Sequence, residues 1–481
     1  MSSNPSPFIQ ERLYNNHLTD ISCPDLTSGI RNNRTLRTLD LSLNNLEGPH
    51  FRDVMEALTT SRIEELHLCG NHLTDMSCPD LASGIRNNQT LRTLSLNNNN
   101  LEGPHFRDLM EALTTSQIEE LQLHDNHLTD ISCPDLASVI RNNQTLRTLN
   151  LSYNNLEGPH FRDVMEALTT SRIEGLHLYN NLLTDISCPD LASGIRNNQT
   201  LKILNLYNNN LEGPHFRDVM EALTTSQIEE LLLDRNHLTD SSCPDLASGI
   251  RNNQTLRTLN LSRNNLGGPH FRDLMEALTT SRIEELHLKY NKLTDSSCPD
   301  LASGIRDNKT LKRLYLSNNN LAGPHFRDLM AALKTSRIEE LHLDNNQLTD
   351  SSCPDLASGI RNNQTLRILD LSGNNLEGPH FRDLMEALTT SRIEELHLRD
   401  IGLTDECTTS LESLSDSKSL RLLDLLNNRI TDVGSNHIRH LIIKSSSLKE
   451  IWASSQFMSD EAKRELKELE VLRPGLKVLL Y

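Results

Sequence analysis

Histidine, cysteine and carboxylate side chains recur along this chain at fixed intervals. Histidine stands at His67, His177, His287, His342 and His397, and again at His50 and its six copies. Seven of the nine cysteines, Cys23, Cys78, Cys133, Cys188, Cys243, Cys298 and Cys353, are spaced 55 residues apart, and Glu65, Glu120, Glu230, Glu285, Glu340 and Glu395 keep a register of their own. Imidazoles, thiols and carboxylates are the materials of metal centres and of acid–base catalysis. An active site, however, is a single asymmetric constellation, and these groups repeat. If the repeats stack as strands, consecutive histidines of the first set lie about 10 Å apart or more, too far to share a metal. Neighbouring cysteines are separated on the same order, beyond the reach of a disulfide, and are expected to be small buried thiols. No G-x-S-x-G nucleophile and no G-x-x-x-x-G-K-[ST] phosphate loop occurs. The sequence therefore predicts no enzyme, no catalytic residue, no metal and no cofactor.

Binding is better represented. Comparison of the copies with one another shows that most of each unit is nearly invariant, whereas the pair of positions following each second strand leucine differs almost every time: Ser42-Leu43, Cys69-Gly70, Asn97-Asn98, His124-Asp125, Ser152-Tyr153, Tyr179-Asn180, Tyr207-Asn208, Asp234-Arg235, Ser262-Arg263, Lys289-Tyr290, Ser317-Asn318, Asp344-Asn345, Ser372-Gly373 and Arg399-Asp400. Drift alone would also have varied exposed helix positions such as Arg52, Asp53 and Glu56, which barely change. Seven of the nine phenylalanines hold one repeated helix position, Phe51 and its copies, and are core. Tyr14, Tyr153, Tyr179, Tyr207, Tyr290 and Tyr315 instead fall at outward positions, where tyrosine offers a large contact area with a polar tip. The candidate partner-binding residues are Tyr153, Tyr179, Tyr207, Asp234, Arg235, Arg263, Lys289, Tyr290, Tyr315, Asp344 and Arg399. A second stripe alternates in sign, from Arg37, Glu64, Arg92 and Glu119 to Arg367 and Glu394, and predicts cross-strand ion pairs. Glu65 and its copies add unpaired acid beside it.

The elements that position these residues follow from a 55-residue unit, marked by Leu46, Leu101, Leu156, Leu211, Leu266, Leu321 and Leu376. Each unit splits into halves of 27 and 28 residues carrying L-x-x-L-x-L-x-x-N-x-L, as in Leu36, Leu39, Leu41, Asn44 and Leu46, the leucine-rich repeat signature. Strand alternation turns Leu39 and Leu41 inward and Arg37, Thr38, Asp40 and Ser42 outward. The Asn44 amide, both donor and acceptor, satisfies loop backbone groups and stacks into an asparagine ladder. Pro49 with Phe51, Val54, Met55 and Leu58 predicts one helix, and Pro24, Asp25, Leu26 and Ile30 predict the other. The expected fold is an α/β leucine-rich repeat solenoid, a horseshoe with a concave parallel β-sheet and convex α-helices. Residues 1–18 read as a partial, poorly capped first coil, 19–392 as tandem 27/28-residue repeats, 393–447 as diverged terminal repeats, and 448–481 as a C-terminal cap. In that cap Ser459 or Asp460 begins a helix, and Pro474 and Gly475 turn into a last strand at Leu476–Leu480.

Long helical half-units, the alternation of two repeat types and segments such as L-T-D-x-S-C-P-D-L-A-S-G-I-R-N-N resemble the ribonuclease-inhibitor-like class of leucine-rich repeats, also found as the C-terminal sensor of NOD-like receptors. The resemblance covers essentially the whole chain and implies a concave face that binds protein partners. The chain is much poorer in cysteine and tryptophan than ribonuclease inhibitor. The function expected is a non-catalytic protein-binding scaffold or sensor. The alternatives are a GTPase-activating regulator resembling Ran GTPase-activating protein, and an innate-immune recognition module derived from a NOD-like receptor. A net charge of −18 disfavours nucleic acid and anionic membrane and favours a basic protein partner. With no long apolar run and no leader pattern, a cytoplasmic location is expected, and Asn-Gln-Thr triplets such as Asn88-Gln89-Thr90 read as turn residues rather than glycosylation sites. The open N-terminal edge predicts a homo-oligomer, a missing upstream domain, or fraying of the first coil.

Overall fold

Leucine alternation sets the strands. In Glu65–His67 the Leu66 side chain is buried while Glu65 is exposed and His67 half-buried, and Leu68 returns to the core. The computed structural model describes residues 9–361 and 363–481 and divides into two units, Met1–His237 and Leu238–Tyr481. Residues 1–8 of the expected partial first coil lie outside the described residues. In the first unit each strand from Ile9–Arg12 to Glu230–Leu232 pairs parallel with its successor, placing Leu39 beside Leu66 and Leu66 beside Leu94. The second unit repeats the arrangement from Thr258–Asn260 to Lys477–Leu480. Each is a leucine-rich repeat solenoid with the strands on one side and the helices on the other.

Two loop chemistries hand the chain from strand to helix. In one, Thr184 caps a short 3-10 turn, Asp185–Ser187, by accepting from the Ile186 N–H. Helix Cys188–Asn197 follows with a proline in its first turn, where the missing N–H costs nothing. In the other, helix Phe216–Leu223 starts after His215, whose backbone N–H donates to Asp185 Oδ1 of the preceding coil at 2.7 Å. Gly213 makes this approach possible: it has φ +158°, and a Cβ there would lie 2.3 Å from Asp185 Cγ. Proline at the copies of Pro49 therefore stands one residue ahead of the cap, not inside the helix. The interior is filled by Phe51 and its six copies together with the leucines, isoleucines and methionines of both half-units, all essentially inaccessible. The seven repeated cysteines are buried and free.

Asparagine satisfies the corners, where no strand ladder exists. The expected ladder is present, but its members have two different roles. Asn209 Oδ1 accepts from the backbone N–H groups of Asn181 and Leu183, both at 3.0 Å, while Nδ2 donates to the carbonyls of Leu178 and Leu206. Asn181, from the other half-unit, donates to the Leu151 carbonyl at 2.9 Å, and its Oδ1 meets no partner among the described residues. A second ladder closes the helix-to-strand turn: Asn198 donates to the Leu168 carbonyl at 2.6 Å and accepts from the N–H groups of Thr200 and Leu201. This amide is the one a glycan would need, and it is buried and bonded, so the Asn-Gln-Thr triplets are turn elements.

Ser42, expected on the outward face, is buried, as are Ser152, Ser262 and Ser317; the Ser317 hydroxyl donates to Asp344 of the next coil.

Buried backbone groups left without a partner cost about 1–3 kcal/mol each. Asn209→Ala orphans groups on two adjacent coils and is expected to destabilise them by several kcal/mol, whereas Asn181→Ala, which removes donors alone, costs markedly less. Denaturant titration combined with hydrogen exchange across residues 178–210 checks the order; equal losses would overturn it.

Candidate protein-binding face

The position after each variable serine, tyrosine or charged residue has a left-handed backbone. Leu43, Asn98, Asp125, Tyr153, Asn180, Asn208, Arg235, Arg263, Tyr290, Asn318, Asn345 and Asp400 all have φ between 53° and 57°, and Gly70 and Gly373 share the conformation at 60° and 64°. The geometry is imposed by the coil, since the same residue donates its N–H to the next coil, as in Tyr153 to the Tyr179 carbonyl at 2.9 Å and Arg263 to the Lys289 carbonyl at 2.7 Å. Asparagine, aspartate and glycine tolerate φ > 0, so their frequency here is a conformational preference. Tyr153, Arg235, Arg263 and Tyr290 are not explained in that way. Each carries a bulky side chain where it costs on the order of 1 kcal/mol, and each is among the residues expected at the binding rim. Leu43 is the remaining large side chain in the series.

In the first unit, Tyr153, Tyr179 and Tyr207 come from consecutive coils and form one aromatic cluster. Tyr153 meets Tyr179 edge-on with centroids 4.9 Å apart, and Tyr179 tilts against Tyr207 at 6.0 Å. Burial raises the Tyr179 phenol above its ordinary range, with Tyr153 adding to the effect, so its hydroxyl stays a neutral hydrogen-bonding group. Asp234 is half-buried and Arg235 exposed at the turn that follows Leu233.

The second unit holds a denser cluster. The Arg263 guanidinium lies 4.5 Å from the Tyr290 ring centroid, and Lys289 Nζ lies 4.7 Å from that of Tyr315. Strand register places His287, Tyr315 and His342 side by side, and the rings stack: His287 on Tyr315 at 4.2 Å and 6°, Tyr315 on His342 at 4.7 Å and 23°. The Tyr315 hydroxyl donates to Glu340 Oε1 at 3.1 Å. Arg313 reaches Glu285 at 2.6 Å, and His287 and His342 pair with Glu285 and Glu340 at 2.7 Å. Glu285 and Glu340 are therefore not the unpaired acid expected from their spacing: the residue two along the same strand points the same way and reaches each of them. Asp344 accepts from the Ser317 hydroxyl. Arg399 is exposed, two residues beyond His397, whose ring meets that of Trp452 at 6.3 Å.

His287, His342, Glu285, Arg313 and Asp370 are the residues that sequence reasoning did not assign to the site. The available signal was spacing, because His287, Tyr315 and His342 follow one another at repeat intervals, 28 and 27 residues apart. The alternating charge stripe is present as expected, in pairs such as Arg37–Glu64 at 3.2 Å and Lys312–Glu284 at 2.7 Å, largely solvated. Burial, then Asp295, pushes the Cys298 pKa up to about 12, which favours the protonated thiol over the reactive thiolate.

A family model described as Leucine Rich repeat matches residues 32–49, 142–159, 252–269 and 362–379, and a Leucine Rich Repeat model matches 90–111 and 310–331. Ribonuclease inhibitor of Mus musculus is 32% identical over 436 residues, spanning 87% of this chain and 96% of that protein. The Sus scrofa ribonuclease inhibitor is 33% identical over 430 residues, 86% and 94% of the two chains. This chain belongs to the ribonuclease-inhibitor-like leucine-rich repeat family. It is also similar to NACHT, LRR and PYD domains-containing protein 3 of Bos taurus, 32% identical over 309 residues, 62% of this chain and 30% of that protein. Among the described residues no helix is long and apolar enough to cross a membrane.

The column titrates unevenly. Burial dominates at His287 and lowers its pKa, despite Glu285. Burial also opposes the charge on His342, but hydrogen bonds to Asp370 and Glu340 outweigh it and raise the pKa. A raised histidine pKa contributes stability that is complete below the unfolded value of about 6.5 and is lost as pH climbs through the folded pKa. Histidine ring NMR is expected to show His342 titrating above that value and His287 below it. Asp370→Asn should carry the His342 pKa downward, and an unmoved His342 would contradict the assignment.

Proposed function

We propose that this protein is a non-catalytic scaffold that binds a protein partner on its sheet face and rim, with the rim residues supplying most of the affinity. The observation that carries this reading is the gathering of large tyrosine and arginine side chains at the rim, Tyr153 against Tyr179 and Arg263 over Tyr290, on left-handed backbone. Local strain retained in exposed side chains is a feature of working sites, and tyrosine and arginine are the residues that dominate binding hot spots. The tyrosine cluster of the first unit and the Arg263–Tyr290 and Lys289–Tyr315 pairs of the second are rigid, preorganised anchors of that kind. The partner is basic: the chain carries a net charge of −18, and complementary potentials speed association. Mouse and pig relatives carry the name ribonuclease inhibitor, so a ribonuclease is the first defined partner to offer. A cytoplasmic setting is supported by nine free cysteines, since thiols persist unpaired in reducing compartments.

An affinity pull-down compares the chain with a variant carrying Tyr153, Tyr179, Tyr207 and Tyr290 changed to Ala. Each true hot spot costs about 2 kcal/mol or more, so the partner should be lost from the variant altogether. Equal recovery with the variant folded would remove the rim from consideration.

The strain itself gives a second test. Arg235→Asn is expected to raise the thermal midpoint slightly, relieving up to about 1 kcal/mol, while weakening partner binding. A variant that binds as well as the parent would reduce Arg235 to a tolerated surface residue.

A further inference from the structure

His437 and His440 stand outside the repeating histidine series. Both lie on helix Asp432–Lys444, and their separation of three residues puts them on one helical face. Facing them, the 3-10 turn Glu412–Asp416 supplies Glu412. Its Oε1 lies 2.6 Å from His437 Nδ1 and 3.4 Å from His440 Nδ1, and all three atoms fall within 4.8 Å of one another. Two ring nitrogens thus converge on one carboxylate oxygen. For a tetrahedral zinc ion with bonds of about 2.0–2.1 Å, ligand atoms sit about 3.3 Å apart, so this triangle needs only small side-chain adjustments to become one face of the tetrahedron.

The surroundings suit that use. His437 and Glu412 are about one-quarter exposed, at 25% and 26%, while His440 is 53% exposed, which leaves the remaining coordination position open to water. The nearest competing cation, Lys444, lies 3.5 Å from the other carboxylate oxygen, Oε2, and its exposed chain is free to turn to solvent. A second set within the same distance, His342, Asp344 and Asp370, offers one imidazole in place of two, and that ring is stacked in the column on Tyr315.

We infer that Glu412, His437 and His440 form a binding site for a divalent transition-metal ion of the zinc type, with a carboxylate and two neutral imidazoles as ligands. Borderline ions of this class take mixed nitrogen and oxygen donors. Bound there, the ion joins the turn of one diverged coil to the helix of the next, and its effect is read as added stability.

The full chain, freed of metal with a chelator, is titrated with Zn2+ by calorimetry and with Co2+ by visible absorption, beside Glu412→Gln and His440→Gln. His440 is exposed enough for its variant to keep the fold, which circular dichroism verifies. The expected result is saturation by one ion per chain, d–d bands free of thiolate charge-transfer absorption, and a Zn2+-dependent rise in thermal midpoint. Each variant should weaken binding more than about tenfold and lose the rise. Thiolate absorption would move the ion to a cysteine and overturn the site. So would variants that bind like the parent, or a parent that binds nothing.

Discussion

The buried amide at each corner of the coil is the interaction on which the rest of this protein depends. Strands satisfy their backbone groups by pairing and helices by their own turns, but the chain must leave the sheet around Asn209 and its equivalents, where neither pattern continues. Asn209 connects N–H groups of one coil to carbonyls of its own and the preceding one. The consequence is that no coil is complete without its neighbour, the general condition of repeat proteins. The unequal roles of Asn209 and Asn181 also give the two half-units different weights in holding the stack together.

Once the corners are tied, the backbone just beyond each strand has no freedom left. It is driven into the left-handed region so that its N–H can reach the next coil. Most copies accept this with asparagine, aspartate or glycine. Where tyrosine or arginine stands instead, the fold bears a local cost, and the side chain is held on a rigid base at the edge of the sheet. Rigidity of this kind lowers the entropy lost on binding. It links the stability of the coil directly to the presentation of Tyr153, Arg263 and Tyr290.

The sheet face shows how a repetitive chain acquires local character. The Arg–Glu stripe is nearly the same from coil to coil and stays solvated. Two positions along, small differences among copies accumulate into one dense cluster, because Tyr315 falls between two histidines and Arg313 beside Glu285. Burial presses both histidines toward the neutral form, and the hydrogen bonds of His342 to Asp370 and Glu340 split the two, which hold equivalent sequence positions, into one of raised and one of lowered pKa. The same principle of divergence operates in the terminal coils, where histidines outside the repeat meet Glu412.

Leucine spacing by itself determined the parallel strands, the helices behind them, the core phenylalanines, the buried thiols and the asparagine ladder, since each is a one-dimensional pattern that has a single packing solution in a stacked coil. Outwardness at Tyr153, Tyr179, Tyr207, Tyr290 and Tyr315 was legible for the same reason. The burial of Ser42, the pairing of Glu285 and Glu340, and the left-handed backbone at the rim were decided only by tertiary structure. They depend on backbone dihedrals and side-chain reach, which residue spacing does not encode. The His287–Tyr315–His342 column and the meeting of His437 and His440 with Glu412 required in addition the register between coils, because residues some 25 to 28 apart in sequence become neighbours only when the hydrogen bonds of adjacent coils bring them level.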